Sequence, residues 1–138
     1  MAIAKIHARW HPPRMARWLL IGSFGFIGTI LRYAVQGGAQ RLFGSAFPYG
    51  TLAVNVAGSF IVAFVATLTL ERAAMNPTLR SSILIGFCGG FTTFSALAYE
   101  SFEMLRTGDP ARGALNLAAH VVLGLAAVWA GCGLAVKL

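Results

Sequence analysis

The chain has 138 residues, 57% of them hydrophobic and 11% charged, with a mean hydropathy of +0.72; a soluble domain carries roughly 25% charged residues. Its net charge of +7 would suggest nucleic acid in a soluble protein, but the basic residues sit in an N-terminal arm and at the ends of apolar stretches, with no basic stripe interleaved with stacking aromatics. A soluble fold and a nucleic-acid partner are both set aside, and at about 20 residues per span the length accommodates four membrane helices with short loops.

Residues 1–17 read as a basic N-terminal arm and 18–138 as one four-helix transmembrane domain. Trp10 and Trp18 flank the arm as interfacial anchors do. His7 and His11 lie near a chain end, where lone histidines rarely find fixed partners. The arm and the apolar stretch after it have the order of a signal peptide, but no A-x-A-like cleavage site follows, so the segment is read as a retained first helix.

Uncharged windows place the spans near 18–38, 49–70, 80–105 and 113–136. The loops between them fall at 41–48, 71–79 and 107–112, with turn signals at Asn76-Pro77 and Gly108-Asp109-Pro110. In the first span Gly22, Gly25 and Gly28 recur every three residues, a packing stripe that Arg32 continues. Arg32 has two compatible readings, a side chain snorkelling to the interface and a fixed positive field for an anion. In the second span Thr51, Asn55 and Ser59 share one helical face, while Ala53 and Ala57 form a small-xxx-small pair. The polar stripe is either a set of interhelical hydrogen bonds or a line of donors along a hydrated or anion-conducting path.

The third span holds the run GFCGGFTTFS, residues 86–95. Paired glycines weaken a helix and adjacent β-branched threonines do not restore it, so a break, or alternatively a kink, is expected here. A break near mid-membrane would expose backbone carbonyls, which protein or a bound ion must satisfy. Cys88 and Cys132 have no CxxC spacing and read as packing residues. The fourth span carries Ala127 and Gly131 as a further small-xxx-small pair.

Lys5, Arg9, Arg14, Arg17, Arg72, Arg80 and Lys137 lie on the side of the N-terminus, against Arg41, Arg106 and Arg112 on the other. Without the four residues of the arm the balance is three against three, which suits insertion in both orientations. Four short helices leave little room for a pathway inside one subunit, so a homo-oligomer is expected. No acidic residue precedes Glu71, and no nucleophile–base pair or metal cluster stands out, so an enzyme is not expected.

The motifs GFIGTILRY (25–33), GTLAVNVAGSF (50–60) and GFCGGFTTFS (86–95), one per span, resemble those of the Fluc/CrcB family of microbial fluoride channels, and the resemblance covers nearly everything from Leu20 onward. It implies an all-α membrane protein of four transmembrane helices, the third broken near mid-membrane, assembled in lipid as an antiparallel, dual-topology homodimer. It implies passive, selective fluoride export across the plasma membrane (the bacterial inner membrane) through two pores. It also implies a structural sodium ion held by the backbone carbonyls of Gly89 and Thr92. On the anion pathway it places Asn55, Phe94, Ser95, Arg32 and Glu100, with Thr51 and Ser59 completing the polar face.

Fluoride is small and strongly hydrated, so a dry path must replace its water with donors such as Asn55 and Ser95 and with the electropositive ring edge of Phe94. Three positions depart from the family pattern: Leu97 replaces a second phenylalanine, Ala96 a threonine, and Asn116 a tyrosine, with His120 one turn further. Asn116 and His120 are read either as replacement donors or as interhelical hydrogen-bonding residues. Two rival functions remain, a proton-coupled dual-topology exporter and a non-conducting assembly subunit. The first lacks the early membrane carboxylate it needs, because that region carries Arg32.

Overall fold

The computed structural model describes residues 14–72 and 75–138, so the arm residues Lys5, His7, Arg9, Trp10 and His11 lie outside the described part. Among the described residues four apolar helical runs are long enough to cross a membrane: Met15–Phe43, Tyr49–Leu70, Pro77–Arg106 and Pro110–Lys137. They comprise α1 (Arg14–Phe43), α2 (Tyr49–Arg72), a third run split into α3 (77–91) and α4 (Phe94–Arg106), and α5 (Pro110–Lys137). Among the described residues there is no strand.

Apart from the start of α2, the helices outrun the spans expected from the uncharged windows. At about 1.5 Å per residue, 28 or 30 residues exceed the ~30 Å hydrocarbon core, so the extra turns reach headgroup depth, where charge is tolerated. Local chemistry sets the starts. The Asn76 side chain accepts the Thr78 N–H at 2.8 Å with Pro77 at the first helical position. Asp109 does the same for Arg112 at 3.0 Å ahead of Pro110.

Packing is by small residues. On α1, a Cβ at Gly28 would run into the Phe87 carbonyl, and Gly25 faces Gly86. Reciprocally, a Cβ at Gly86 or Gly90 would strike the carbonyls of Ile21 or Gly25. Backbone meets backbone along this α1–α3 seam, with Gly22 outside it in open space. On the other side α2 runs along α5, where a Cβ at Gly131 would sit 2.6 Å from the Phe60 carbonyl. Ala53 and Ala57 face outward instead, because Val54 and Gly58 are the buried residues of α2 there. Both cysteines are free thiols, and Cys88 is buried.

The interior mixes apolar side chains such as Val54, Phe91 and Leu97 with polar ones. Ser82 and Asn116 are fully buried, and Thr51, Ser101 and His120 nearly so, whereas Phe26, Val122 and Trp129 are exposed on the outside. Apolar side chains toward lipid and hydrogen-bonded polar ones within is the arrangement a hydrocarbon solvent favours.

Candidate ion pathway at the helix break

α3 contains a π-helical stretch, Ser82–Phe87, and then returns to α-helix through Cys88–Phe91. Thr92 and Thr93 leave the helix, with φ,ψ of −90°, 163° and −154°, 114°. The expected break is therefore present, halfway along the 77–106 run, and it is more than a kink. Its position differs from the glycine-based expectation. Gly89 and Gly90 stay helical, Gly90 being used for contact with α1, and the extended residues are the β-branched threonines.

The break is held from within the subunit. Asn55 grips Thr93 with both ends of its amide: Oδ1 accepts the Thr93 N–H at 2.7 Å, and Nδ2 donates to the Thr93 carbonyl at 3.0 Å. The Thr93 hydroxyl caps α4 by accepting the Ala96 N–H at 3.1 Å. These two bonds divert the N–H groups that a continuous helix would send to the Gly89 and Thr92 carbonyls, its partners four residues earlier. Both carbonyls lose their helical donors for that reason. Arg32 on α1 then donates through Nη1 to the Thr92 carbonyl at 3.2 Å. The Gly89 carbonyl has no recorded partner among the described residues, and Gly89 lies exposed with open space beside it. The Gly89 oxygen is thus left open, whereas the Thr92 oxygen keeps one lone pair beyond the Arg32 guanidinium.

The polar stripe of α2 shares one face as expected, but each member has its own partner. The Thr51 hydroxyl donates to Glu100 Oε1 at 2.6 Å and accepts from Gln36 Nε2 at 3.1 Å. Ser59 bonds back to the Asn55 carbonyl at 2.7 Å, which is local helix chemistry. Gln36 was not anticipated, although its place one turn after Arg32 was a signal for it. Beyond the Thr51–Glu100 pair opens a cavity of about 490 Å³, whose lining includes Gln36, Gln40, Tyr49, Tyr99 and Glu103. Glu103 is engaged by Arg106 at 2.8 Å.

Phe94 opens α4 with 80% of its surface exposed, and Ser95 beside it is exposed too, its hydroxyl 3.2 Å from that of Thr93. Neither lines a passage inside a single copy. Behind them Leu97 is buried, and Asn116 donates across from α5 to Ser101 Oγ at 3.0 Å. For Asn116 this is the interhelical role.

A four-span bundle with polar side chains buried in it and a third span broken at its midpoint is the architecture of a membrane transport protein. Residues 19–132 match the family described as CrcB-like protein, Camphor Resistance (CrcB), and the chain belongs to that family. A protein of Geobacter sulfurreducens named "Fluoride-specific ion channel FluC" is 44% identical over 117 residues, covering 85% of this chain and 94% of that protein. Proteins of the same name from Sulfurihydrogenibium sp. (41% over 121 residues, 88% and 98% covered) and Rhizobium etli (44% over 117 residues, 85% and 94% covered) are similar to the same extent.

Proposed function

We propose that this protein is a fluoride-selective channel that exports fluoride passively across the plasma membrane, working as two antiparallel copies that enclose two pores. The observation that carries the reading is the exposed Phe94 ring at the mouth of the break, beside Ser95 and the Asn55 clamp. An anion avoids the face of a ring and is drawn to its edge, so a ring presented outward beside hydroxyl donors makes half of an anion passage. A second copy supplies the other half and excludes lipid from it. Asn55 has one amide hydrogen left after its bond to Thr93, and it remains a donor toward that passage.

The same assembly brings two breaks together, and four carbonyl oxygens, two each from Gly89 and Thr92, would hold a sodium ion between them. Such an ion would supply a fixed positive charge between the copies; this chain's contribution is the pair of diverted N–H groups, which leaves the Gly89 oxygen open and the Thr92 oxygen bonded only by Arg32.

Purified protein in liposomes loaded with fluoride or chloride tests the reading with halide electrodes. Fluoride should be released and chloride retained, without need of a proton gradient. Equal rates for the two halides would end the selectivity claim, and strict coupling to protons would end the channel claim.

A further inference from the structure

The chain of contacts from Gln36 through Thr51 to Glu100 gives each of its hydrogens a direction. Glu100 Oε1 lies 2.6 Å from Thr51 Oγ1, the separation of a hydroxyl donating to an ionised carboxylate. Such a carboxylate can only accept, so the single hydroxyl hydrogen of Thr51 is spent on Glu100. The Thr51 oxygen in turn receives a hydrogen from Gln36 Nε2 on α1, 3.1 Å away. Gln36 therefore offers Thr51 a donor and no acceptor, and the hydroxyl keeps its hydrogen on the carboxylate.

Backbone geometry holds Gln36 to this task. Helices α1 and α2 cross closely at Gly50, where a Cβ would lie 2.6 Å from the Gln36 Cα and 3.2 Å from its Cγ. The stem of Gln36 thus lies against bare backbone one residue before Thr51, and only a glycine leaves room for it. Thr51 itself is 2% exposed, so water does not compete for its hydroxyl.

Glu100 depends on that hydroxyl. Among the described residues it makes no ion pair, because Arg106 is taken by Glu103, Arg112 by Asp109, and Arg32 by the Thr92 carbonyl. Its second oxygen, Oε2, is buried without a partner among the described residues. The cavity of about 490 Å³ lies beside it, with Gln36, Thr51 and Glu100 all in its lining. Thr51 stands one turn from Asn55 on the same face of α2, so the cavity begins one helical turn from the clamp that holds the break.

We propose that Gln36 is a positioning residue for anion passage: by donating to Thr51 it keeps Glu100 tied to α2, and the carboxylate charge out of the cavity through which an anion comes to Asn55. The inference rests on the fluoride-channel reading. A carboxylate freed from its one tie turns into the open space beside it, where its charge repels an arriving anion over several ångströms. Gln36 does this without touching the anion.

Fluoride release from proteoliposomes is compared at one pH for the unaltered chain and for Gln36→Leu, which keeps a stem against Gly50 and removes the N–H. Gln36→Leu should be slower by about tenfold, the worth of one hydrogen bond to a charged group. Made in a Glu100→Gln background, which has no charge to displace, the same substitution should leave the rate of that background where it was. A role confined to packing at the helix crossing would slow both backgrounds alike. Gln36→Ala makes the same comparison should Gln36→Leu fail to fold. As a second readout, the carboxyl ¹³C NMR signal of Glu100, assigned by its loss in Glu100→Gln, should shift in Gln36→Leu as the hydroxyl lets go. Undiminished flux in Gln36→Leu, equal losses in both backgrounds, or an unmoved Glu100 signal overturns the inference and leaves the channel reading standing. Absence of fluoride flux in the unaltered chain overturns both.

Discussion

Asn55 is the residue on which most of the break depends. Its amide satisfies the N–H and the carbonyl of Thr93 together, and both lie where water is scarce. Asn55→Ala leaves the two groups without partners, at about 1–3 kcal/mol each. The expected result is a lower melting temperature and faster amide exchange at Thr93 than at Phe91, read by hydrogen–deuterium exchange; unchanged protection at Thr93 would mean that the clamp is not what holds the break. Sequence alone led to the face on which Asn55 lies and not to its partner, because helical spacing reports a direction around one helix and says nothing of the neighbour across from it. Arg32 has the same history. Its spacing on α1 gave no sign that the side chain reaches inward and donates to the Thr92 carbonyl.

At the level of whole helices, the glycines of α1 and α3 separate into two classes that a stability measurement can tell apart. Gly28→Ala or Gly86→Ala places a methyl against a carbonyl of the facing helix, and backbone cannot rotate away. Each change should cost about 1–3 kcal/mol and loosen α1 from α3. Gly22→Ala, with open space at its Cβ, should leave the melting temperature within experimental error. Equal losses in both classes would contradict the packing described. Gly89 belongs to neither class. A single copy leaves it open, so Gly89→Leu should preserve the folded subunit while weakening association of the proposed dimer, measured by subunit exchange in detergent. Charge-free windows sufficed to find the four spanning helices among the described residues, since hydrocarbon imposes length and backbone satisfaction on any span. The seat of the break was harder to place. Glycine is a poor helix former in water, but within a bilayer it is retained in helices for the close approach it permits, and the threonines beside it are the residues that unwind.

On the scale of the whole molecule, the orientation of a copy in the membrane follows from few charges. With the arm included the basic residues favour one side, and without it they are balanced. Deleting residues 2–14 should shift insertion toward equal numbers of both orientations, scored by labelling a terminal tag from each side of the membrane. Wholly one-sided labelling after the deletion would assign the bias to the helices instead. The proposed dual insertion would require that each copy survive alone until it meets a partner of the opposite sense, and the break bears on that requirement. Within one chain, Asn55 serves Thr93, the Thr93 hydroxyl serves Ala96, and Arg32 serves Thr92, while the Gly89 carbonyl waits on the exposed side. The interrupted span is therefore already finished in solitude, apart from one oxygen. In the proposed assembly, a newly inserted copy would drift in the bilayer as a completed unit, and the encounter joining two copies would have only to cover ring faces and collect an ion, with no helix left to fold.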